Sequence, residues 1–345
     1  SREAQLIVLA GGHYHGVSLP MMAPTQRACI SCGCRGLAAM RRYRCKSAQG
    51  RSIFAGAWLY RCDGCGLIQS SPIPSLETLA GYYAVDYRNN CLGGSDVADL
   101  AKFPLDNLSY YNRGQSIAEL MAPYVAAPEP RILDIGAGYG HILQALGERF
   151  PGGSQTAIEF SHVCVEHLRS LGIAVHAEPA EDVLPRLEQF DVIVMSHVLE
   201  HFPDPGAMLR LIGSRLTPGG VLYVETPHIP VEAMHRYIDS VWAPRFDEPH
   251  ITFFDPRSLA GVLEANGLAV EFCETAGPEY RRVSALRFHV PHGRWFFQRI
   301  VPAPVFRFLR RQRLAQALKV NVREDSFYQR GGFRIWIRSI ARVKQ

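Results

Sequence analysis

No run of about 18 or more uncharged apolar residues occurs in the 345-residue sequence, so we expect no transmembrane helix. The chain also shows no internal repeat and no low-complexity segment. A short apolar stretch at residues 6–12 follows Glu3, which a secretory leader would not carry. With 47% hydrophobic residues the chain can bury a sizeable core, and its length predicts one large domain with appendages or two domains.

Acidic residues are scarce near the C-terminus, where residues 281–345 contain 16 Lys and Arg but only two Asp and Glu. Since the whole chain has a net charge of +5, the preceding residues are net acidic. Within this basic aromatic extension, residues 294–314 interleave arginines with aromatic and apolar side chains. The pattern predicts packing on the core, a dimer interface, peripheral membrane contact or an anionic partner.

The nine cysteines include two tight Cys-x-x-Cys pairs. In an enzyme-like chain such pairs favour metal over disulfides and a reducing compartment, so we expect a cytoplasmic protein. Four thiolates in a tetrahedral shell are the standard ligand set of structural zinc. Residues 25–74 are therefore predicted to form a small zinc-ribbon-like module after a flexible arm at 1–24. The predicted Zn²⁺ ligands are Cys29, Cys32, Cys62 and Cys65.

Two alternatives to this zinc site remain open in the sequence. Cys34 and Cys45 could replace members of the ligand set. Unligated cysteines or a disulfide are the alternative to metal binding.

From Pro130 onward short apolar strands alternate with helices, which predicts a parallel sheet covered on both faces, an α/β fold. This core is predicted at residues 75–280, with a helical segment at 106–125 before the first strand. The predicted strands are 131–135, 155–159, 173–176, 191–196, 220–225 and 268–274.

A glycine-rich loop follows the first of these strands. Asp134 ends the strand, and Gly136, Gly138 and Gly140 allow a tight turn and close approach of a ligand to the next helix N-terminus. The Gly-x-Gly-x-Gly spacing differs from the Gly-x-Gly-x-x-Gly of pyrophosphate-binding loops. Glu159, at the end of the second strand, is placed to accept both ribose hydroxyls of an adenosine.

In their order, the segments LDIGAGYG, AIEFS, FDVIVMSHVLEHFPDP and LTPGGVLYVETPH resemble the motifs of class I S-adenosylmethionine (SAM)-dependent methyltransferases. The resemblance implies a Rossmann-like, doubly wound, mostly parallel seven-stranded sheet with a helical lid. It also implies SAM as cofactor and S-adenosylhomocysteine as product; a core that has lost its cofactor is the alternative. The cofactor-binding residues that it implies are Asp134, Gly136, Ala137, Gly138, Gly140, Glu159, Phe160, Ala180, Glu181, Ser196 and His197.

Histidines follow the later strands, at the edge where open α/β sheets place their sites. His197 follows the fourth strand, His228 follows the fifth, and His250 lies beyond it. Because SAM carries an activated methyl group, the protein mainly has to align the acceptor and remove its proton, which suits a histidine base. Each histidine could instead cap a helix or fill a polar pocket. His201 shares a helical face with His197, but no third metal ligand is evident.

The cysteine module, followed by CGLIQSSPIPSLETLAGYY and the core, resembles the deoxysugar C-methyltransferase group. This resemblance implies a nucleotide-linked keto-sugar acceptor with tyrosine and histidine as acid–base groups. Of that group's Tyr-His-Glu-His motif, the matching segment 247–250 keeps only His250.

We therefore expect O- or C-methyl transfer to a small molecule or glycan, including nucleotide- or lipid-linked acceptors, in natural-product or polysaccharide biosynthesis. The alternative is a zinc-containing protein that binds nucleic acid or a partner through a methyltransferase-like core. Nucleic acid is the less expected partner, because no Asn-Pro-Pro-Tyr motif follows the fourth strand and the module lacks a dense basic–aromatic surface.

Overall fold

The structure is a computed structural model that describes residues 28–45, 48–82, 108–228, 250–279 and 334–344. The arm at 1–24 and the tail segment 294–314 lie outside the described residues. Among the helices that it describes, none has the length and hydropathy needed to cross a membrane.

Eleven strands and eight α-helices are described. The strands are β1 (Leu37–Arg42), β2 (Trp58–Cys62), β3 (Ile68–Ser71), β4 (Arg131–Ile135), β5 (Ser154–Ile158), β6 (Ala174–His176), β7 (Phe190–Ser196), β8 (Leu216–Pro227), β9 (Thr252–Phe253), β10 (Leu268–Glu279) and β11 (Arg334–Val343). The helices are α1 (Ala48–Ile53), α2 (Leu76–Gly81), α3 (Leu108–Met121), α4 (His141–Arg149), α5 (His162–Ser170), α6 (Ala180–Val183), α7 (Pro205–Arg215) and α8 (Pro256–Ala265), with 3₁₀ turns at Ala122–Tyr124, Leu184–Arg186 and Leu199–His201.

The larger sheet has seven strands in the order β10-β11-β8-β7-β4-β5-β6. Strands β4 to β8 pair in parallel, and β11 runs antiparallel to both of its neighbours. The sequence prediction of a mostly parallel seven-stranded Rossmann-like sheet is therefore confirmed. Because parallel strands end at one edge, the segments after β4, β5, β7 and β8 meet there.

Both faces of this sheet are covered, which explains its continuous apolar strands. Along β7, Val192 and Val194 pack with α3 and α4, whereas Ile193 and Met195 pack with α7 and α8. This alternation follows the two-residue period of a strand, so successive residues of the apolar run 192–195 belong to the two apolar cores on opposite faces of the sheet. The sheet is doubly wound.

A four-stranded antiparallel sheet, in the order β1-β2-β3-β9, forms the N-terminal module. Its last strand belongs to the segment after β8, since Ile68 pairs with Phe253 and Gln69 with Thr252. Cys62 and Leu67 also lie in the same apolar cluster as Phe254. The module is thus joined to the larger domain through shared strands and a shared core.

Strand β11 corrects the predicted end of the core at residue 280. The charge of residues 281–345 predicts that residues 334–343, with their three arginines, belong to the basic extension, but they lie between β8 and β10 in the sheet. Two of these arginines have partners within the domain: Arg338 contacts Glu225, and Arg342 donates to the carbonyl of Tyr124. The basic composition of this segment therefore did not indicate a sheet strand, because its charges are compensated by tertiary contacts.

Candidate active site

The glycine-rich loop turns from β4 into α4 with three residues in the left-handed region. Gly136, Gly138 and Gly140 have φ values of 74°, 54° and 76°. A Cβ at Gly136 would meet Val198 at 2.4 Å and one at Gly140 would meet Leu168 at 2.6 Å, so these two glycines are required by packing as well as by φ. A Cβ at Gly138 would meet nothing within 4 Å. The middle glycine thus leaves an open surface beside the loop.

Glu159 is held against that open surface by backbone groups. The amide of Gly138 donates to its Oε2 and the amide of Ser161 donates to its Oε1, each at 2.8 Å. Phe160, the next residue, is 49% exposed, which is unusual for a phenylalanine in a packed domain. On the adjacent turn, Ala180 begins α6, with Glu181 exposed beside it. A carboxylate held in one orientation suits the hydroxyls of a ribose, and an exposed aromatic ring suits a nucleobase.

Asp134 lies at the end of β4 and is buried at 2% exposure. Within the described part of the chain its Oδ1 has no hydrogen-bond partner. Burial, together with the nearby charge of Glu159, raises the pKa of Asp134 well above its ordinary value. A cationic ligand at this position would compensate both effects, and SAM carries cationic ammonium and sulfonium groups. The residues of this edge therefore fit SAM.

A buried ionic cluster lies under the other end of the site, centred on Glu225 of β8. Arg113 of α3 donates from Nε to Oε1 at 2.9 Å, and Arg338 of β11 donates from Nε to Oε2 at 2.9 Å. Tyr223 donates its hydroxyl to Oε2 at 2.9 Å, and the Ser196 hydroxyl lies 3.3 Å from Oε1. Burial alone would raise the pKa of Glu225, but the Arg113 charge, the hydrogen bond with His197 and the Arg338 charge hold it well below its ordinary value.

His197 connects this cluster to the rim. Its Nε2 lies 3.4 Å from Oε1 of Glu225 and its Nδ1 lies 3.7 Å from Oε1 of Glu200. Trp336 of β11 meets the imidazole edge-on at a centroid distance of 5.9 Å. The imidazole therefore lies between two buried carboxylates and one aromatic ring, with its side chain 28% exposed.

The expected helical face shared by His197 and His201 is wrong. His197 has a φ of 58°, in the left-handed region, and the 3₁₀ turn Leu199–His201 follows it. The strained backbone takes the chain off the end of β7 before a helix begins, so the two side chains do not follow a four-residue helical spacing. Strain of this kind is common where a side chain is held for function.

The other predicted catalytic histidines lie on the segments after β8. His228 is buried, and its backbone forms an isolated bridge with Phe254. His250 is buried beside Phe253, at 5.9 Å between ring centroids, and its carbonyl accepts from the Tyr43 hydroxyl at 2.8 Å. The N-terminal module thus supports His250 directly.

The four predicted zinc ligands come together in the module. One sulfur from each lies within 4.8 Å of the others, with 3.6 Å between those of Cys29 and Cys65 and 3.5 Å between those of Cys32 and Cys62. Sulfurs bound to one zinc at 2.3 Å lie about 3.8 Å apart, so the spacing fits the ion.

Two backbone turns of the same form present these sulfurs. The Gly33 amide donates to the Cys29 carbonyl at 2.9 Å, and the Gly66 amide donates to the Cys62 carbonyl at 3.0 Å. Both glycines have positive φ, at 70° and 78°. The alternative ligand Cys45 packs in a different apolar cluster, with Tyr43 and Phe54. The contact between Cys29 and Cys65 lowers the pKa of Cys29 to about 5 and raises the pKa of Cys65, so one thiol of the pair ionises at the expense of the other.

Comparisons with known proteins agree with this geometry. Residues 109–271 match the family model described as "Methyltransferase domain". A ubiquinone biosynthesis O-methyltransferase from Methylobacterium sp. (strain 4-46) is 29% identical over 182 residues, covering 49% of this chain and 69% of that protein. A trans-aconitate 2-methyltransferase from Rhodococcus jostii (strain RHA1) is 28% identical over 173 residues, covering 48% and 68%.

Among solved structures, a SAM-dependent methyltransferase from Archaeoglobus fulgidus aligns with 67% of this chain and 93% of its own, at 18% identity and a TM-score of 0.42. The strand order and the glycine-rich loop define the fold of a class I methyltransferase. Together with the family match, they identify residues 109–271 as a class I SAM-dependent methyltransferase domain. The protein is a SAM-dependent methyltransferase.

Several residues of the site escaped sequence analysis. Arg113, Glu200, Glu225, Trp336 and Arg338 come from separate segments and follow no short motif. One signal was available: Glu225 directly follows the run Val-Leu-Tyr-Val in β8, and a charged residue in such a buried stretch requires a buried partner. Its partners could not be named, because they lie 112 and 113 residues away.

Proposed function

We propose that this protein transfers the methyl group of SAM to an oxygen atom of a small molecule, with His197 as the general base. Two relatives support the acceptor class, since one is named for O-methyl transfer in ubiquinone biosynthesis and another for methylation of trans-aconitate. A sugar or glycan hydroxyl, free or nucleotide- or lipid-linked, is the narrower acceptor that the N-terminal module suggests. Natural-product or polysaccharide biosynthesis would then be the setting.

The position of His197 is the observation that carries this proposal. It lies after β7, at the carboxyl edge of the parallel strands, where the cofactor loop also ends. The carboxylates of Glu200 and Glu225 on either side orient its ring. With the proton on Nε2 directed to Glu225 at 3.4 Å, Nδ1, which is 3.7 Å from Glu200 and beyond hydrogen-bond distance, would be the nitrogen that accepts the proton.

SAM supplies a methyl group already activated by its sulfonium. The acceptor oxygen attacks the methyl carbon while the carbon–sulfur bond breaks, and the acceptor proton passes to His197. The residues of the chain therefore align the acceptor, hold the base and exclude water. Trp336 and the buried Arg113 form one wall beside His197, with the guanidinium 4.9 Å from the indole ring.

For the cofactor, we propose that Glu159 binds the ribose and that Asp134 lies near the cationic methionine part. Gly136, Ala137, Gly138 and Gly140 would line that part of the site. Phe160, Ala180 and Glu181 would flank the adenine. Ser196 instead contacts Glu225, so its contribution to cofactor binding would be indirect. His228 and His250 remain secondary candidates for acceptor contact.

We further propose that the four cysteines bind a structural zinc ion. The symmetric pair of turns and the sulfur spacing support this proposal. Such a closed thiolate shell would support the segment around His250 through β3 and β9 without taking part in methyl transfer. A cytoplasmic location and contacts through residues 294–314 stay predictions from the sequence.

A label-transfer experiment tests the proposed reaction. Full-length protein is incubated with methyl-labelled SAM and panels of phenols, hydroxylated carboxylic acids, nucleotide sugars, oligosaccharides and nucleic acids. We expect label in a small hydroxylated acceptor, and His197→Gln to lower turnover by about 10²–10⁴-fold with unchanged SAM affinity. The matched control is His162→Ala, whose imidazole is 82% exposed on α5. Label found only in nucleic acid, or full turnover in His197→Gln, would contradict the proposal.

A further inference from the structure

Three ligating side chains meet beside the proposed base, separate from the four cysteines. Glu200, His201 and His250 each offer one ligand atom, and these atoms all lie within 4.8 Å of one another. Glu200 and His201 are neighbours in the sequence. Nothing in the sequence indicates that His250, 49 residues from His201, lies beside them. The third ligand that the sequence did not reveal is therefore supplied by the fold.

Backbone hydrogen bonds hold the two contributing segments together. The amide of Ile251 donates to the Glu200 carbonyl at 2.9 Å, and the Tyr43 hydroxyl donates to the His250 carbonyl at 2.8 Å. Thr252 and Phe253, which come next in the chain, form β9 and pair with β3. Because the backbone is restrained on both sides, the convergence of the three side chains is a property of the fold and not of one flexible loop.

The chemistry of this donor set suits a divalent cation. Glu200 and His250 are 1% and 4% exposed, whereas His201 is partly exposed. The rings of His201 and His250 are 4.8 Å apart between centroids. Ligand atoms around one ion at about 2.1 Å lie about 3.4 Å apart in a tetrahedral shell, so the three atoms, which lie within 4.8 Å of one another, would move closer together on binding. Two imidazoles with one carboxylate form the protein ligand set of zinc sites that keep an open position.

We propose that Glu200, His201 and His250 bind a divalent cation of the zinc type, with a coordination position left for water or an acceptor oxygen. The ion would lie next to His197, since Glu200 Oε1 is also 3.7 Å from its Nδ1. An oxygen bound there would lose its proton more readily. That last role rests on the proposed methyl transfer, whereas metal binding itself does not.

Metal stoichiometry of the full chain tests the proposal without any substrate. The protein is stripped with a chelator, reloaded with Co²⁺ and dialysed, and bound metal is measured by elemental analysis and absorption spectroscopy. Thiolate-bound Co²⁺ gives intense charge-transfer bands, and a histidine–carboxylate site does not. We expect the wild type to hold one equivalent beyond the thiolate-bound ion. His250→Ala and His201→Gln should each lose that equivalent while keeping the thiolate bands.

Matched controls separate loss of a ligand from loss of fold. His162→Ala, on the exposed face of α5, should keep every equivalent of the wild type. Once the thiolate site of both proteins has been reloaded, His201→Gln should melt as the wild type does, and only the wild type should show a further rise in melting temperature with excess Co²⁺. Equal metal content in wild type, His201→Gln and His250→Ala would overturn the proposal. Methyl transfer that proceeds fully after removal of this ion would leave the site intact but remove its role at the acceptor.

Discussion

The two halves of the proposed active site are built in different ways. The cofactor half comprises the loop 134–140, residues 159–161 and the turn at 180–181, all of which follow directly on strands. The acceptor half comprises Arg113, the segment 197–201, Glu225, His250 and Trp336, which come from five separate parts of the chain. Backbone amides orient the key carboxylate of the first half, whereas buried charges and rings orient the key side chain of the second.

The two halves are expected to differ in how their residues affect ligand affinity and the stability of the domain. The cofactor half depends on glycine conformations and on two amide donors, so its defects should change ligand affinity and little else. The acceptor half is joined to the stability of the whole domain, because Glu225 holds α3, β8 and β11 together. A change there should affect folding and turnover at once.

The largest effect is expected when the N-terminal module loses one of its four proposed zinc ligands. Cys62→Ser should lose the cysteine-bound metal and yield aggregated or partly unfolded protein, because zinc affinity contributes on the order of 10 kcal/mol to folding such modules. Elemental analysis and circular dichroism measure this. Cys34→Ser is the matched control: it lies beside Gly64 near the cluster but outside the four-sulfur group, and should keep its metal. Well-folded wild type without zinc would contradict the prediction.

The next effect concerns the buried charge of the acceptor half. Glu225→Gln should lower the free energy of unfolding by about 3–5 kcal/mol, because Arg113 and Arg338 would remain buried without their shared carboxylate. Urea denaturation at neutral pH measures the change. Glu188→Gln, whose carboxylate is 87% exposed beside Arg131, should change stability by less than about 1 kcal/mol.

The pH dependence of this difference follows from the lowered pKa of Glu225. A carboxylate with a lowered pKa in the folded state stabilises the protein above its ordinary pKa, and this contribution is lost as the pH falls through the folded value. The advantage of wild type over Glu225→Gln should therefore shrink below about pH 4. An advantage that grows on acidification would show that Glu225 is not the ionised partner.

The smallest effect is expected in the cofactor half. Glu159→Ala should weaken SAM binding by about 1–3 kcal/mol, since two ribose hydroxyls would lose a charged acceptor. Calorimetric titration with SAM measures this, and the melting temperature without SAM should change little. Glu166→Ala, on the exposed side of α5, should bind SAM as the wild type does. If Glu159→Ala bound SAM normally but unfolded early, the contrast between the two halves would fail.

Sequence reasoning succeeded where a structure follows from neighbouring residues. The turn from Asp134 to Gly140 could be predicted because strand, turn and helix are consecutive in the chain, whereas its role in cofactor binding stays a proposal. It failed at β11, whose arginines indicated a solvent-exposed tail. Arg338 pairs with Glu225, 113 residues away, and Arg342 pairs with Glu271, 71 residues away, and no local pattern reports either pair.

The amino-acid sequence was enough to predict the class of enzyme, six of the seven sheet strands and the glycine-rich turn after β4, because periodicity and glycine spacing are local properties of the chain. Tertiary contacts place β11 in the seven-stranded sheet and join β9, from the segment after β8, to the sheet of the N-terminal module. They also decide that His197 lies between Glu200 and Glu225, and that His250 meets His201. The physical reason is that a buried charge or a ligand needs partners in space, and their separation along the chain leaves no trace in a local pattern.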